Sequence, residues 1–214
     1  DCGCFAEACS VLQRHAESEV AAVAVPNPLQ RNVLTAYARA WLLAQQEKHE
    51  PAAAELEAAR GQSPDYCFPS RLHEMVVLEW ALSQAGGDPN AAYGLGNFYF
   101  DKKRHTAAIG VWEKARAVDP QFATVQRNLG IAYWNVRRDG ASARAAYQRA
   151  LDLDTTDARL VAETAQLRSK LGDSAQDCLA FLESHRALVA ERDDATVELA
   201  TLYNETGQPK KALD

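Results

Sequence analysis

Long apolar runs, a basic excess and a cysteine framework are all missing from this chain, and each gap removes a class of function. No apolar stretch approaches the ~18 consecutive residues of a membrane-spanning helix, so no membrane partner is expected. The opening DCGCFAEACS has neither the basic start nor the long apolar centre of a secretory signal. Residues 1–88 hold 6 Lys+Arg against 12 Asp+Glu, and residues 89–214 hold 17 of each. Neither half carries the basic surplus that nucleic-acid binding requires, so no nucleic-acid partner is expected. The cysteines number five (Cys2, Cys4, Cys9, Cys67 and Cys178), an odd set without regular spacing. That pattern fits reduced thiols and a cytoplasmic location. Cys2-x-Cys4-x4-Cys9 has no fourth ligand at a zinc-site spacing, so neither metal nor cofactor is expected.

Enzyme constellations are missing too. Gly94-Leu95-Gly96 lies within a helical pattern, with no preceding strand and no third glycine, and so reads as packing. His73-Glu74 begins like a zinc-protease helix, but Val77 stands where the second histidine must be. His15, His49, His105 and His185 are scattered, and Asp193-Asp194 and Asp152/Asp154 sit where helix ends favour carboxylates. No strand-rich block appears. The chain is expected to be non-catalytic.

What is present is a repeat. Residues 89–120, PNAAYGLGNFYFDKKRHTAAIGVWEKARAVDP, read as two helices joined at Asp101-Lys102-Lys103-Arg104. Leu95, Gly96 and Tyr99 share a face of the first helix, and Ala108, Trp112 and Ala115 share the inner face of the second. Small Gly96, Ala108 and Ala115 suit a close approach, with Tyr99 and Trp112 filling the wider space. Such a pair cannot bury its apolar stripe alone and demands copies of itself.

Copies recur along the chain, the next of them 34 residues on. A unit from Ala123 repeats the pattern as Leu129, Gly130 and Tyr133, then, after one inserted residue near Arg138-Asp139-Gly140, as Ala143, Tyr147 and Ala150. A unit from Val33 gives Ala40, Leu43, Ala52, Leu56 and Ala59. A weaker unit from Ala158 places Ala165, Gly172 and Phe181 in register, with Asp177 at a small-residue position. The last, from Asp193, offers Leu199, Ala200, Tyr203, Gly207 and Ala212.

These units resemble tetratricopeptide repeats, which implies an all-α fold, a right-handed α-α superhelix of stacked helix pairs. Four stretches, LGNFYFDKKRHTAAIGVWEKA, FATVQRNLGIAYWNVRRDG, LVAERDDATVELATLYNETGQ and SPDYCFPSRLHEMVVLEWAL, further resemble the C-terminal region of a bacterial family. In that family a galactose-mutarotase-like β-sandwich precedes the repeats. The resemblance implies that this chain is the repeat portion of a longer protein.

In chain order, residues 1–32 read as an N-terminal helix (about 4–18) and a linker broken by Pro26-Asn27-Pro28, and residues 33–66 as one repeat. Residues 67–88 have room for a single unpaired helix, expected to divide the array. Residues 89–214 then hold three full units and a truncated one, with helices expected over 123–135, 141–152, 158–171, 174–187, 196–205 and from 209 onward. Asp157 and Asp194 stand as caps, and Gly140, Gly172 and Gly207 at corners.

In the resemblance, first helices line a concave groove through fixed repeat positions. Here these carry Tyr37, Trp41, Tyr93, Asn97, Phe100, Arg127, Trp134, Asn135, Arg159 and Gln166. Large aromatics beside Arg and Asn have the composition of interaction hot spots. Arrays that clamp a terminal carboxylate also match this chain at Asn97, Asn128 and Arg159, but Tyr93 and Glu163 replace two of the clamp's cations, which weakens carboxylate capture. The function expected is a non-catalytic scaffold holding a protein or peptide segment, or the chain's own upstream domain, in the groove. The alternative is the accessory half of a carbohydrate-active enzyme, packed on an upstream sandwich. A homodimer through the last helix is a third reading.

Overall fold

A computed structural model describes residues 33–64, 68–84 and 86–212, together with Arg14. The expected N-terminal helix, its linker and Cys2, Cys4, Cys9 and Cys67 lie outside the described residues. The described residues are helices and connecting turns, with no strand among them. The chain divides into two compact units, Asp1–Pro120 and Gln121–Asp214.

In the first unit, α1 (Val33–Gln45) pairs with α2 (His49–Arg60), and α4 (Pro89–Asp101) pairs with α5 (His105–Val118). The small-against-large reading of the sequence holds to atomic detail. A Cβ on Gly96 would lie 2.2 Å from Nε1 of Trp112, so only glycine lets the indole cross. That indole N–H donates to the Tyr93 carbonyl at 3.2 Å, and Ala108 and Ala115 are fully buried beside it.

Helix α3 (Leu72–Ser83), expected to stand unpaired and to divide the array, packs on both α1 and α4. The boundary between the compact units falls instead at Pro120. Its Glu79 carboxylate accepts the Tyr99 hydroxyl of α4, 20 residues downstream. The same device recurs in the second unit, where Tyr203 donates to Glu183, also 20 residues upstream, at 3.0 Å. Toward the helix that follows it, α3 therefore plays the part of a repeat's second helix.

The start of α4 ties these pieces together. Pro89 occupies the first helical turn, where no N–H is needed. Asp88 caps the helix through the Ala91 amide at 3.0 Å. The same fully buried carboxylate accepts the Tyr37 hydroxyl at 2.9 Å and Arg60 Nε at 3.4 Å. Asn90 donates to the Arg60 and Gln62 carbonyls at 3.0 and 2.9 Å, closing the end of α2.

The second unit contains α6 (Ala123–Ala132), α7 (Gly140–Leu153), α8 (Ala158–Lys170), α9 (Ala175–Ser184), α10 (Arg186–Val189) and α11 (Asp193–Glu205). Gly130 repeats the role of Gly96: a Cβ there would lie 2.6 Å from the Tyr147 ring. The helix expected over 174–187 breaks at His185, and residues 209–212 form turns rather than a helix. Asp157 caps α8 through the Arg159 and Leu160 amides. Asp194 lies inside the first turn of α11 rather than before it, and accepts the Ala195 amide at 3.0 Å. In α9 the inner face is shifted by one residue: Cys178 and Leu182 are buried, while Asp177 is exposed and engages Ser174 at the cap. The cap sets where the helix starts, and the start sets the face.

One corner geometry recurs in both units. Glu47, Lys103, Gly172 and Gly207 each have a left-handed backbone with φ between 59° and 86°. In each case the next amide returns to a carbonyl five residues back, as in Arg104 to Tyr99 at 2.8 Å and Gln208 to Tyr203 at 2.7 Å. The repeat with an inserted residue does this differently. Tyr133–Arg137 form a π-helical turn, the left-handed residue moves to Arg138, and the Asp139 amide reaches six residues back to the Tyr133 carbonyl. The extra residue is absorbed by widening the turn.

Candidate functional site

The groove residues expected in the first unit are mostly interior. Tyr37, Trp41 and Tyr93 are 0, 5 and 8% exposed. These three assignments are corrected: Tyr37 is held by the buried Asp88, and the Tyr93 backbone is covered by the Trp112 indole. Packing of α3 on both α1 and α4 contributes to closing this face. Asn97 and Phe100 are half-buried. The Phe100 ring lies against His105 and Trp112 of its own repeat, with centroids 4.6 and 5.5 Å away.

The second unit keeps its first-helix side chains accessible. Asn135, Arg159 and Gln166 are exposed, and Arg127, Asn128 and Trp134 are half-buried. Trp134 sits in the π-helical turn, beside the start of α7 at Gly140.

At its centre stands Glu163 of α8, which the sequence shows only as a misplaced anion. Arg127 of α6 donates to both carboxylate oxygens, Nε to Oε2 at 2.8 Å and Nη2 to Oε1 at 2.5 Å. Arg159, one helical turn earlier on α8, donates Nε to Oε1 at 2.9 Å. The Tyr147 hydroxyl of α7 donates to Oε2 at 3.2 Å. Four donors thus converge on a group with about four lone-pair sites, and three helices are tied through one side chain. Burial pushes the Glu163 carboxyl up, but the bonds and charges of Arg127 and Arg159 outweigh it and hold it below the usual range. Burial and the adjacent Glu163 charge push the Tyr147 phenol up. Tyr147 was legible in the sequence only as a packing residue, and its polar role depends on a neighbour 16 residues away.

Farther along the chain Arg192 forks onto Asp194 with two bonds of 2.9 Å. Asp173 receives a similar fork from Arg144 and lies 3.2 Å from Arg168. None of these pairs places a nucleophile beside a base. Glu74 caps its own helix through the Ser70 and Arg71 amides, at 2.7 and 2.8 Å, and Val77 is buried. No group of three or more metal-ligating side chains comes together among the described residues. No helix among them is long and apolar enough to cross a membrane.

The family model described as the TPR repeat matches residues 88–136, the stretch that holds α4, α5, α6 and the π-helical turn. Over that stretch the helices match the tetratricopeptide repeat. A relative in Xenopus laevis, tetratricopeptide repeat protein 37, is 32% identical over 149 residues, 64% of this chain. This chain spans only 9% of that protein's length. Among solved structures, MamA superposes with a TM-score of 0.57 at 19% identity, covering 65% of this chain and 81% of that one. YrrB, described as a TPR protein with an unusual peptide-binding site, gives 0.55 at 20% identity over 85% of this chain and 81% of its own. Identities at this level establish the TPR fold alone.

Proposed function

We propose that this chain is a non-catalytic TPR scaffold that holds a protein or peptide segment against the first-helix face of its second unit. The observation that carries the reading is the accessibility of Trp134, Asn135, Arg159 and Gln166 on helices held rigid by the Glu163 cluster. An aromatic ring, amides and a guanidinium on a preorganised surface supply hot-spot chemistry at low ordering cost. The unusual peptide-binding site of YrrB is in keeping with such a role for the fold. Of the groove residues expected in the first unit, Asn97 and Phe100 are half-buried and can still contribute.

A capture experiment tests this. The wild-type chain is compared with Trp134→Ala/Asn135→Ala/Gln166→Ala, a variant that removes no tie to Glu163, in host lysate. A partner retained by the wild type and lost by the folded variant supports the reading, and equal capture by both removes it.

A second reading is favoured by one surface. Leu72 and Val76 are exposed one turn apart on α3, and Phe68 is exposed in the segment just before it, apolar surface in keeping with docking against an upstream domain such as the sandwich of the resembling bacterial family. Light scattering of the wild type and of Leu72→Lys separates that role from self-association: a dimer lost on substitution identifies a second copy as the occupant.

A further inference from the structure

We infer that the apolar face of α3 is the contact between two copies of this chain, laid antiparallel across a two-fold axis near Glu74. The inference rests on the reading of this face as a docking surface and names its occupant. Leu72 is 72% exposed and Val76 40%, and Phe68, just ahead of the helix, is 69% exposed. Trp80, one turn beyond Val76, is half-buried at the edge of the same face. The opposite side of the helix is already used, since Val77, Leu78 and Ala81 are buried where α3 packs on α1 and α4.

The order of side chains identifies the occupant. Phe68, Leu72, Val76 and Trp80 follow one another as aromatic, aliphatic, aliphatic and aromatic at equal steps along the chain. That order is the same from either end. In an antiparallel pair centred near Glu74, Leu72 of one copy meets the partner's Val76, and Trp80 approaches the partner's Phe68. An interface between identical copies needs such self-complementarity, and a contact with a different domain does not. The charges agree. Arg71 and Glu79 are both exposed. In this pairing Arg71 lies about 3 Å along the helix axis from the partner's Glu79, within reach of a guanidinium. Glu79 Oε1 accepts the Tyr99 hydroxyl, which leaves Oε2 for this second donor. Symmetry makes the ion pair twice, whereas a parallel, in-register pair would set like charges together. A contact one helix wide belongs to the small, transient class of interface, with a Kd on the order of 10–100 μM.

The test is sedimentation velocity of the full chain from about 5 μM to about 1 mM, which brackets that Kd. The wild type is expected to pass from monomer to dimer, and Leu72→Glu to stay monomeric throughout. Val197→Glu, at a valine of α11 that is 65% exposed, is expected to dimerise like the wild type. Arg71→Glu is expected to weaken the dimer by about 10-fold, and Arg71→Glu/Glu79→Lys to recover most of that loss. Should the double variant lose its circular dichroism signal, the comparison of Leu72→Glu with Val197→Glu decides. A wild type that remains monomeric overturns the inference and leaves the α3 face to an upstream domain. A dimer that survives Leu72→Glu overturns it as well, and its loss in Val197→Glu would assign the contact to the last helix. A folded double variant without recovery overturns the antiparallel pairing.

Discussion

Arg127 and Glu163, 36 residues apart, meet through two parallel guanidinium–carboxylate hydrogen bonds, and this pair joins the first helices of two successive repeats. Truncating one partner strands the other in a half-buried position. Glu163→Ala is expected to lower stability by about 2 kcal/mol, less than the 3–5 of a fully buried pair because the site is partly wet. Urea unfolding followed by circular dichroism measures it; a change below about 0.5 kcal/mol would show the pair to be dispensable.

The same group sets an acid response. Its carboxyl lies below the usual range in the folded chain, so its contribution is complete above the unfolded value of ~4.3 and is lost as pH falls through the lower folded value. Below about pH 4.3 the wild type should therefore lose stability more steeply than Glu163→Gln. Thermal melts of both proteins across that window check the slope; parallel curves contradict it.

Two glycines in one repeat should respond in opposite directions. A methyl group on Gly96 collides with the Trp112 indole at 2.2 Å, so Gly96→Ala should cost about 2–3 kcal/mol. Gly110, inside α5, has nothing within 4 Å of its missing Cβ. Gly110→Ala should stabilise by about 0.5–1 kcal/mol through helix propensity. Chemical denaturation of the two single variants reads both signs.

Lys103 holds a left-handed backbone, φ 62°, at a corner where two other repeats use glycine. Lys103→Gly should raise the melting temperature, the relief of about 1 kcal/mol in backbone strain exceeding the added chain entropy. A lowered melting temperature would mean that the entropy term wins.

The repeat was legible because its grammar is local and chemical: a glycine opposite a large ring, twice, at a fixed spacing. Gly96 with Trp112 and Gly130 with Tyr147 are the atomic form of that pattern. The partnership of α3 was not legible, since nothing near Glu79 in the chain announces that it will accept the Tyr99 hydroxyl. Repeat position alone placed Tyr37, Trp41 and Tyr93 on an open face, whereas Asp88 and the covering helix make them interior. Position also misjudged α9 by one residue, because Ser174 fixes the helix start independently of the spacing. At the candidate site, the arginines were identified one by one. Their convergence on Glu163 depends on a distance between helices that no single-sequence pattern encodes.

Asp88 bears on how the first unit opens. Stacked repeats ordinarily fray from their ends, each stack opening at the cost of its own interface. Here one buried carboxylate is shared by the hydroxyl of α1, the guanidinium that ends α2 and the Ala91 amide in the first turn of α4. Release of α1 or α2 would uncap α4, so these three helices should open as a single cooperative step. Amide hydrogen exchange at Ala91 would then follow the same opening free energy as the interior amides of α1, and Asp88→Ala would split that shared protection into separate tiers.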